Sequence, residues 1–337
     1  MSKKLPRIAF RVDESIRVGF GHMSRCLALA CALLKANAEI SFWCRDLRST
    51  TCAALNQLGI ALVVIPSEEA FLERDWRDSV VIVDGYQFDE TFWLRLLGRR
   101  PQRTVYIDDF RAVRYAADIV VCFNEGVDLR QFQLAPNSRL YLGGQYLLLR
   151  PQILTAAERA ERLGPNRAIM IASGGTQQVD WVTSLLRRLS SIAPSSPLWV
   201  LSARRLPVAR VLHRAGVSGS RVRFFCEQEP PAMIRLYRRA QCLITPASTM
   251  MLEAFAAGCP VISGWIAVNQ RNSLNYYSRQ GLLVNVGDLR EVSSKTLTQA
   301  LAEAVSQSRA MRQRQRAYIQ CSKSGILEIV SAILARE

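Results

Sequence analysis

The chain has 337 residues, nearly half of them apolar, a length that predicts two domains and a composition that fills their cores without staples. No uncharged apolar run reaches about 18 residues, so no transmembrane helix is expected; the opening Met-Ser-Lys-Lys-Leu-Pro-Arg lacks the apolar stretch and cleavage site of a signal peptide, which makes a cytoplasmic protein the expectation. The net charge of +16 is uneven, with 20 Lys and Arg against 17 Asp and Glu in residues 1–150 but 24 against 11 in the rest; this suits an anionic ligand or peripheral contact with an acidic membrane, while scattered arginines without interleaved aromatics speak against nucleic acid.

In chain order, runs apolar on both faces predict strands at 8–12, 40–43, 61–65, 80–83, 104–107 and 119–122, as in a parallel sheet covered by helices. Helices are expected between several of them, at 23–36, 50–58 and 89–98. Residues 151–166 lack a strand pattern, end in turn residues and read as the interdomain connection. A second cycle follows, with strands at 168–172, 198–201, 221–225, 242–245, 261–264 and 282–284 and helices at 178–191, 230–239, 249–257, 270–280 and 291–307. The fold class is therefore α/β, with two doubly wound Rossmann-like domains facing a cleft. The domains are 1–150 and 151–309, and a last helix from about 310, with no strand to follow, is expected to rejoin the first. Nine cysteines, an odd number without a Cys-x-x-Cys pair, read as buried free thiols; with only two histidines, no zinc site is expected.

Three stretches carry chemistry. Arg11-Val-Asp13-Glu-Ser-Ile-Arg-Val-Gly19-Phe-Gly21-His22 links the first strand to the first helix. Its glycines allow a sharp turn and close ligand approach, and a helix N-terminus opposes imidazolium, which suits a ring able to accept a proton. The dinucleotide pattern is only partly met, since Ser24 replaces the third glycine, and a turn with His22 as helix cap is the plain alternative. Ser173-Gly174-Gly175-Thr176, after the first strand of the second domain, is either a diphosphate cradle or a mere turn. In the helix from Ser248 or Thr249 to Gly258, Glu253 is not placed for a capping box, so it is either a ribose ligand or an ordinary exposed glutamate. Asp84-Gly85-Tyr86 and Asp108-Asp109 end strands, where acids could position a sugar, share proton transfer with His22, or serve only as caps and turns. His213, in a basic helical surface, is given no role.

With these residues in place, the chain resembles the UDP-sugar hydrolases of pseudaminic acid biosynthesis, which act on UDP-2,4-diacetamido-2,4,6-trideoxy-β-L-altropyranose. The wider family includes predicted spore-coat polysaccharide glycosyltransferases. The likeness runs through Asp13 to Arg25, Val83-Asp84-Gly-Tyr86, Ile107-Asp108-Asp109 and Tyr146-Leu-Leu-Leu-Arg150-Pro151. It continues through Gly174-Gly175-Thr176, the Glu253 helix with Gly258 and Pro260, and Asn269-Gln270. It implies the two-domain glycosyltransferase architecture called GT-B, with UDP on the second domain and the sugar site on the first. The Gly-Gly-Thr turn would meet the diphosphate, Glu253 the ribose, and His22 would activate water at the anomeric carbon with inversion. The implied catalytic set is His22, Tyr86 and Asp13. The expected substrate and UDP contacts are Gly21, Arg25, Gly174, Gly175, Thr176, Ser248, Thr249, Glu253, Asn269 and Gln270, and no metal or cofactor is required. Gln177 and Val268 stand where many relatives carry acids, which leaves the exact sugar open. A glycosyltransferase, with His22 deprotonating an acceptor hydroxyl, and a nucleotide-sugar binding protein without turnover are the alternatives.

Overall fold

A computed structural model describes residues 5–14, 21–109, 114–159, 168–173, 179–202, 205–226 and 228–335. The chain divides into two compact units, residues 1–150 with 321–337 and residues 151–320.

The first unit begins β1 (Arg7–Val12), α1 (Gly21–Lys35), β2 (Glu39–Cys44), α2 (Ser49–Gln57), β3 (Ala61–Val64) and α3 (Glu68–Leu72). It continues with β4 (Ser79–Asp84), α4 (Glu90–Gly98), β5 (Arg103–Ile107), β6 (Arg114–Tyr115), β7 (Ile119–Cys122), β8 (Gln133–Leu134) and β9 (Arg139–Leu142). Seven strands pair in parallel in the order β3-β2-β1-β4-β5-β7-β9. The Val- and Ile-rich central strands are buried along nearly their whole length, as a sheet covered on both faces requires. One face carries an aromatic core that includes Phe71, Trp76, Phe88, Phe92 and Tyr106.

The second unit opens with α5 (Pro151–Arg159), β10 (Ala168–Ala172), α6 (Val179–Ile192), β11 (Leu198–Ser202), α7 (Val208–Ala215) and β12 (Val222–Cys226). There follow α8 (Pro230–Arg239), β13 (Ala240–Pro246), α9 (Thr249–Ala257), β14 (Val261–Trp265), α10 (Arg271–Arg279), β15 (Val284–Asp288) and α11 (Ser294–Ser306). The final helix, α12 (Ser308–Leu334), belongs to the second unit up to Gln320 and to the first from Cys321. The sheet is again parallel, in the order β12-β11-β10-β13-β14-β15. Proline at the first turn starts α8, and left-handed Gly258 (φ 67°) stops α9.

Residues 151–166, read from sequence as a bare connection, instead begin with α5. Its Ile153 is fully buried and the helix packs against α8 and α9, so residues 151–159 are part of the second unit's body. The strand expected at 282–284 begins later, at Val284, because Leu282 follows a helix-ending turn at left-handed Gly281. The edge strand β9 and the two-stranded β6-β8 ribbon carried no sequence signal strong enough to predict them. No helix among the described residues is long and apolar enough to cross a membrane.

Candidate active site

In an open parallel sheet a crevice forms at the carboxyl ends of the two strands where the winding direction reverses. In the first unit these strands are β1 and β4, which pair directly. His22 is the second residue of the helix that follows β1, and Asp84 is the last residue of β4. The topology thus brings together two groups that lie far apart in the chain.

His22 Nδ1 lies 2.5 Å from Asp84 Oδ1, and both side chains are buried. Arg25, one turn along α1, donates to the same carboxylate twice, from Nε to Oδ2 and from Nη2 to Oδ1, each at 2.6 Å. Arg25 Nη2 also stands 3.0 Å from His22 Nδ1. A guanidinium only donates and a carboxylate only accepts. A bare lone pair on Nδ1 would therefore face an acceptor at 2.5 Å. With its hydrogen on Nδ1 the ring donates to the nearer of these two neighbours, Asp84, and Nε2 then keeps the lone pair. Burial pushes the Asp84 carboxyl up, but the charges of Arg25 and His22 and their hydrogen bonds outweigh it and hold it below the ordinary range.

Gly85 makes the next turn. Its φ of 154° suits glycine, and a methyl group there would stand 2.5 Å from Gln87 Oε1 and 2.9 Å from Phe88 Cε2. This turn lets Asp84 face Nδ1 while Tyr86 packs against the ring of the same histidine, centroid to centroid 4.7 Å at 87°. Tyr86 is 43% exposed and donates its hydroxyl to Asp109 Oδ2 at 2.5 Å. Burial, followed by the charge of Asp109, pushes its phenol far above the usual value, so it stays a neutral donor. Asp109 also accepts from Arg25 Nη1, which closes a network of His22, Asp84, Arg25, Asp109 and Tyr86.

Asp13 stands elsewhere. Its carboxylate accepts from Arg11 (2.7 and 2.8 Å), from the Arg45 backbone N–H (2.6 Å) and from Gln87 (3.2 Å). Arg11 is fully buried and also donates to Glu68 and to the Trp43 carbonyl. This cluster ties the segments after β1, β2 and β4 together, and among the described residues the hydrogen-bond partners of Asp13 do not include His22. Arg25 is turned wholly toward Asp84 and Asp109, so its guanidinium faces protein carboxylates. Gly21 opens α1 directly before His22, while Gly19 lies outside the described residues.

In the second unit the same reversal falls between β10 and β13. Ser173 follows β10 and Ser248 precedes α9, and the Oγ atoms of both are buried without a hydrogen-bond partner among the described residues. Ser248 occupies the N-cap position, but its hydroxyl makes no capping bond; Thr249 is the first helical residue. Unpartnered buried hydroxyls beside an uncapped helix N-terminus are groups that a polar ligand could satisfy. Glu253 is 3% exposed, which removes the reading of it as an ordinary surface glutamate. Gly174, Gly175 and Thr176 lie outside the described residues. Asn269 is exposed, whereas Gln270 turns its Oε1 inward to accept from the backbone N–H groups of Ile266 (2.9 Å) and Ala267 (3.3 Å).

The pairing of Asp84 with His22 is the relation that sequence reasoning left open among several strand-end acids. The signal that finds it is topological. In a 3-2-1-4-5 sheet the first and fourth strands are neighbours, so an acid ending the fourth faces the helix after the first.

Fold and site together define a two-domain α/β protein of the GT-B type. Among solved structures, a glycosyltransferase of Rickettsia africae superposes with a TM-score of 0.67 at 14% identity, over 99% of this chain and all of that one. In sequence, the chain resembles the UDP-2,4-diacetamido-2,4,6-trideoxy-β-L-altropyranose hydrolase of Campylobacter jejuni, at 22% identity over 284 residues, 82% of this chain and 97% of that protein. It is also 23% identical over 299 residues to an uncharacterized protein of Methanocaldococcus jannaschii; the match takes in 85% of this chain but spans only 61% of that relative's length. No protein-family profile matches the chain.

Proposed function

We propose that the protein hydrolyses a UDP-linked 2,4-diacetamido-2,4,6-trideoxyhexose to UDP and the free sugar, a step toward a nonulosonic acid of the pseudaminic type. The observation that carries this reading is the His22–Asp84 pair, His22 Nδ1 lying 2.5 Å from Asp84 Oδ1; with Nδ1 donating to that carboxylate, Nε2 is the acceptor. Water, held by Nε2, attacks the anomeric carbon as the bond from that carbon to the diphosphate oxygen breaks. Nε2 takes the water's proton, Asp84 stabilises the imidazolium, and UDP leaves with the bonding electron pair. UDP is a good leaving group, so a positioned base and support for the diphosphate suffice, with no metal or cofactor. Attack opposite the leaving group inverts the anomeric carbon. Tyr86, edge-on to the ring and partly exposed, is in this reading the neighbour of the sugar.

UDP is assigned to the second unit. In this reading Ser173 and Ser248 supply hydroxyls for phosphoryl oxygens, Gly174, Gly175 and Thr176 are assigned to the same diphosphate from sequence, and Glu253 accepts from the ribose hydroxyls. The excess of basic residues after residue 150 favours a dianionic nucleotide.

A glycosyltransferase reading is favoured by the fold, which is that of a solved glycosyltransferase. One experiment separates the two: incubate the protein with the UDP-diacetamido sugar and no acceptor, and follow UDP and free sugar. Release without acceptor supports hydrolysis, release only with an acceptor supports transfer, and binding without release marks a nucleotide-sugar binder. His22→Asn is expected to abolish turnover and spare UDP binding; a variant that still turns over removes His22 as the base. Glu253→Ala is expected to weaken UDP binding about tenfold or more, and unchanged affinity would remove the ribose role.

A further inference from the structure

The network around His22 contains a second carboxylate that a His–Asp pair does not need. The geometry points to Asp109 as a positioning residue for the base: it holds Arg25 and Tyr86 in place around His22 and supplies the negative charge that balances the ring when it is protonated. The inference rests on the reading of His22 as the base.

The argument begins with charge. Arg25 is a single cation shared between two buried or half-buried carboxylates, Asp84 and Asp109. With a neutral ring the cluster therefore carries one excess negative charge, and with imidazolium it is balanced. A His–Asp pair whose carboxylate were also neutralised by an arginine, with nothing further, would lose much of the field that favours a proton on the ring. Asp109 restores it. The charge of His22 is one of the causes that hold the Asp109 carboxyl low against its burial, after that of Arg25, so the two groups sense each other.

Position follows the same bonds. Asp109 Oδ1 anchors Arg25 Nη1, which aims Nε and Nη2 at Asp84. Asp109 Oδ2 anchors the Tyr86 hydroxyl, and the ring of Tyr86 lies edge-on to His22. Asp109 is itself fixed by Asn124, whose side chain donates to its backbone carbonyl at 2.8 Å.

The other titratable groups nearby do not share this task. Cys26, on α1, donates weakly to Asp84 at 3.4 Å, and burial and Asp84 keep it a neutral thiol. Cys122, at the end of β7, is pushed up to about 12 by burial. Asp108 turns the other way and accepts from the Tyr115 hydroxyl at 2.6 Å. Asp13 is engaged with Arg11.

The test uses the resting full-length protein. The chain has two histidines, so an H213N background leaves His22 alone to be followed by 15N NMR, and His213 is an exposed residue of α7. Asp109→Asn is expected to move the midpoint of the ring's titration to lower pH by about one unit, a tenfold loss of proton affinity. Tyr86→Phe removes a donor from Asp109, leaves its charge less screened and is expected to move the midpoint upward. An unmoved midpoint in folded D109N, or no upward shift in Y86F, overturns the proposal. If D109N does not fold, Y86F decides alone, since Tyr86 is 43% exposed and its hydroxyl can be removed without opening a core cavity. A merely structural Asp109 would lower the melting temperature and leave the midpoint in place. No substrate is present, so a protein that releases no UDP would sink the proposed reaction and leave this result standing.

Discussion

Asp84→Asn is the sharpest single perturbation of the site. The carboxylate accepts from His22 Nδ1, from Arg25 twice and from the Cys26 thiol, with no exposure of its side chain. An asparagine offers one acceptor oxygen and a donor group in the same place. If the amide NH2 faces Arg25, donors oppose donors beside a buried cation. If it faces His22, Nδ1 must become the acceptor, and the ring hydrogen moves to Nε2, the atom that takes a proton in the proposed reaction. Removing one partner of a buried charge pair costs about 3–5 kcal/mol. For a unit of this size that corresponds to a fall in Tm of about 6–20 °C. Loss of the oriented base is expected to slow turnover by about 10²–10⁴-fold. Turnover is read as UDP release well below the variant's melting temperature, with the ring tautomer followed by 15N NMR in the H213N background. A folded D84N that turns over within about threefold of the parent would refute the reasoning, as would a neutral parent ring with its hydrogen on Nε2.

Three further outcomes are expected. Gly85→Ala places a methyl group against Gln87 and Phe88 at an unfavourable φ, and is expected to cost about 1–3 kcal/mol and to reduce turnover more than a surface Gly→Ala would; an unchanged denaturation midpoint would contradict it. Gly325→Ala puts a methyl group directly into the carbonyl oxygen of Gln145, so the end of α12 must shift from its seat on the first unit, read as faster backbone hydrogen exchange from Ile326 to Leu334; unaltered exchange would rule this out. Asp84 and Asp109 are both held low in the folded protein, since Arg25 outweighs their burial, so the stability they contribute is full above the ordinary carboxylate value of about 4 and is lost as pH falls below it. A Tm series from pH 7 to pH 2 should therefore fall most steeply in the acid range, and less so in D109N; parallel curves would count against it.

The sheet was legible in the sequence because its strands are buried on both faces. Runs such as Val80–Val83 in β4 and Ile119–Cys122 in β7 stand out without any partner being known. Helices with defined ends were equally plain, as in α8 after Pro230-Pro231 and α9 before Gly258. What sequence hid were elements defined by contacts made elsewhere in the chain. Helix α5 is a short helix whose place comes from buried Ile153 and its packing on α8 and α9. Strand β9 is an edge strand, half-exposed along most of its length, with pairing to β7 on one side only. The site divides in the same way. His22 was visible as a rare residue at a turn, but its partner depended on strand order, which places β4 beside β1. Arg25 was a substrate contact only by resemblance; its bonds to two carboxylates, from β4 and the loop after β5, depend on strand order in the same way.

The two units repeat one topology and load it differently, and that difference bears on function. At the reversal in the first unit, the described polar groups are charged and mutually bonded, with one arginine shared by two aspartates and a histidine ring held against one of them. Such a site has its hydrogen bonds in place before any ligand arrives, which suits moving a proton and leaves little charge with which to grip a dianion. At the reversal in the second unit, the described groups are hydroxyls without partners, an uncapped helix N-terminus and a buried glutamate. The two buried hydroxyls, without partners among the described residues, cost free energy until something polar meets them, so this crevice gains most from binding. The glycine turn before His22, taken alone, resembles a nucleotide cradle. Its histidine is paired with Asp84, so the proposed reaction gives the nucleotide to the crevice where hydrogen bonds are still to be made and leaves the first turn with the proton.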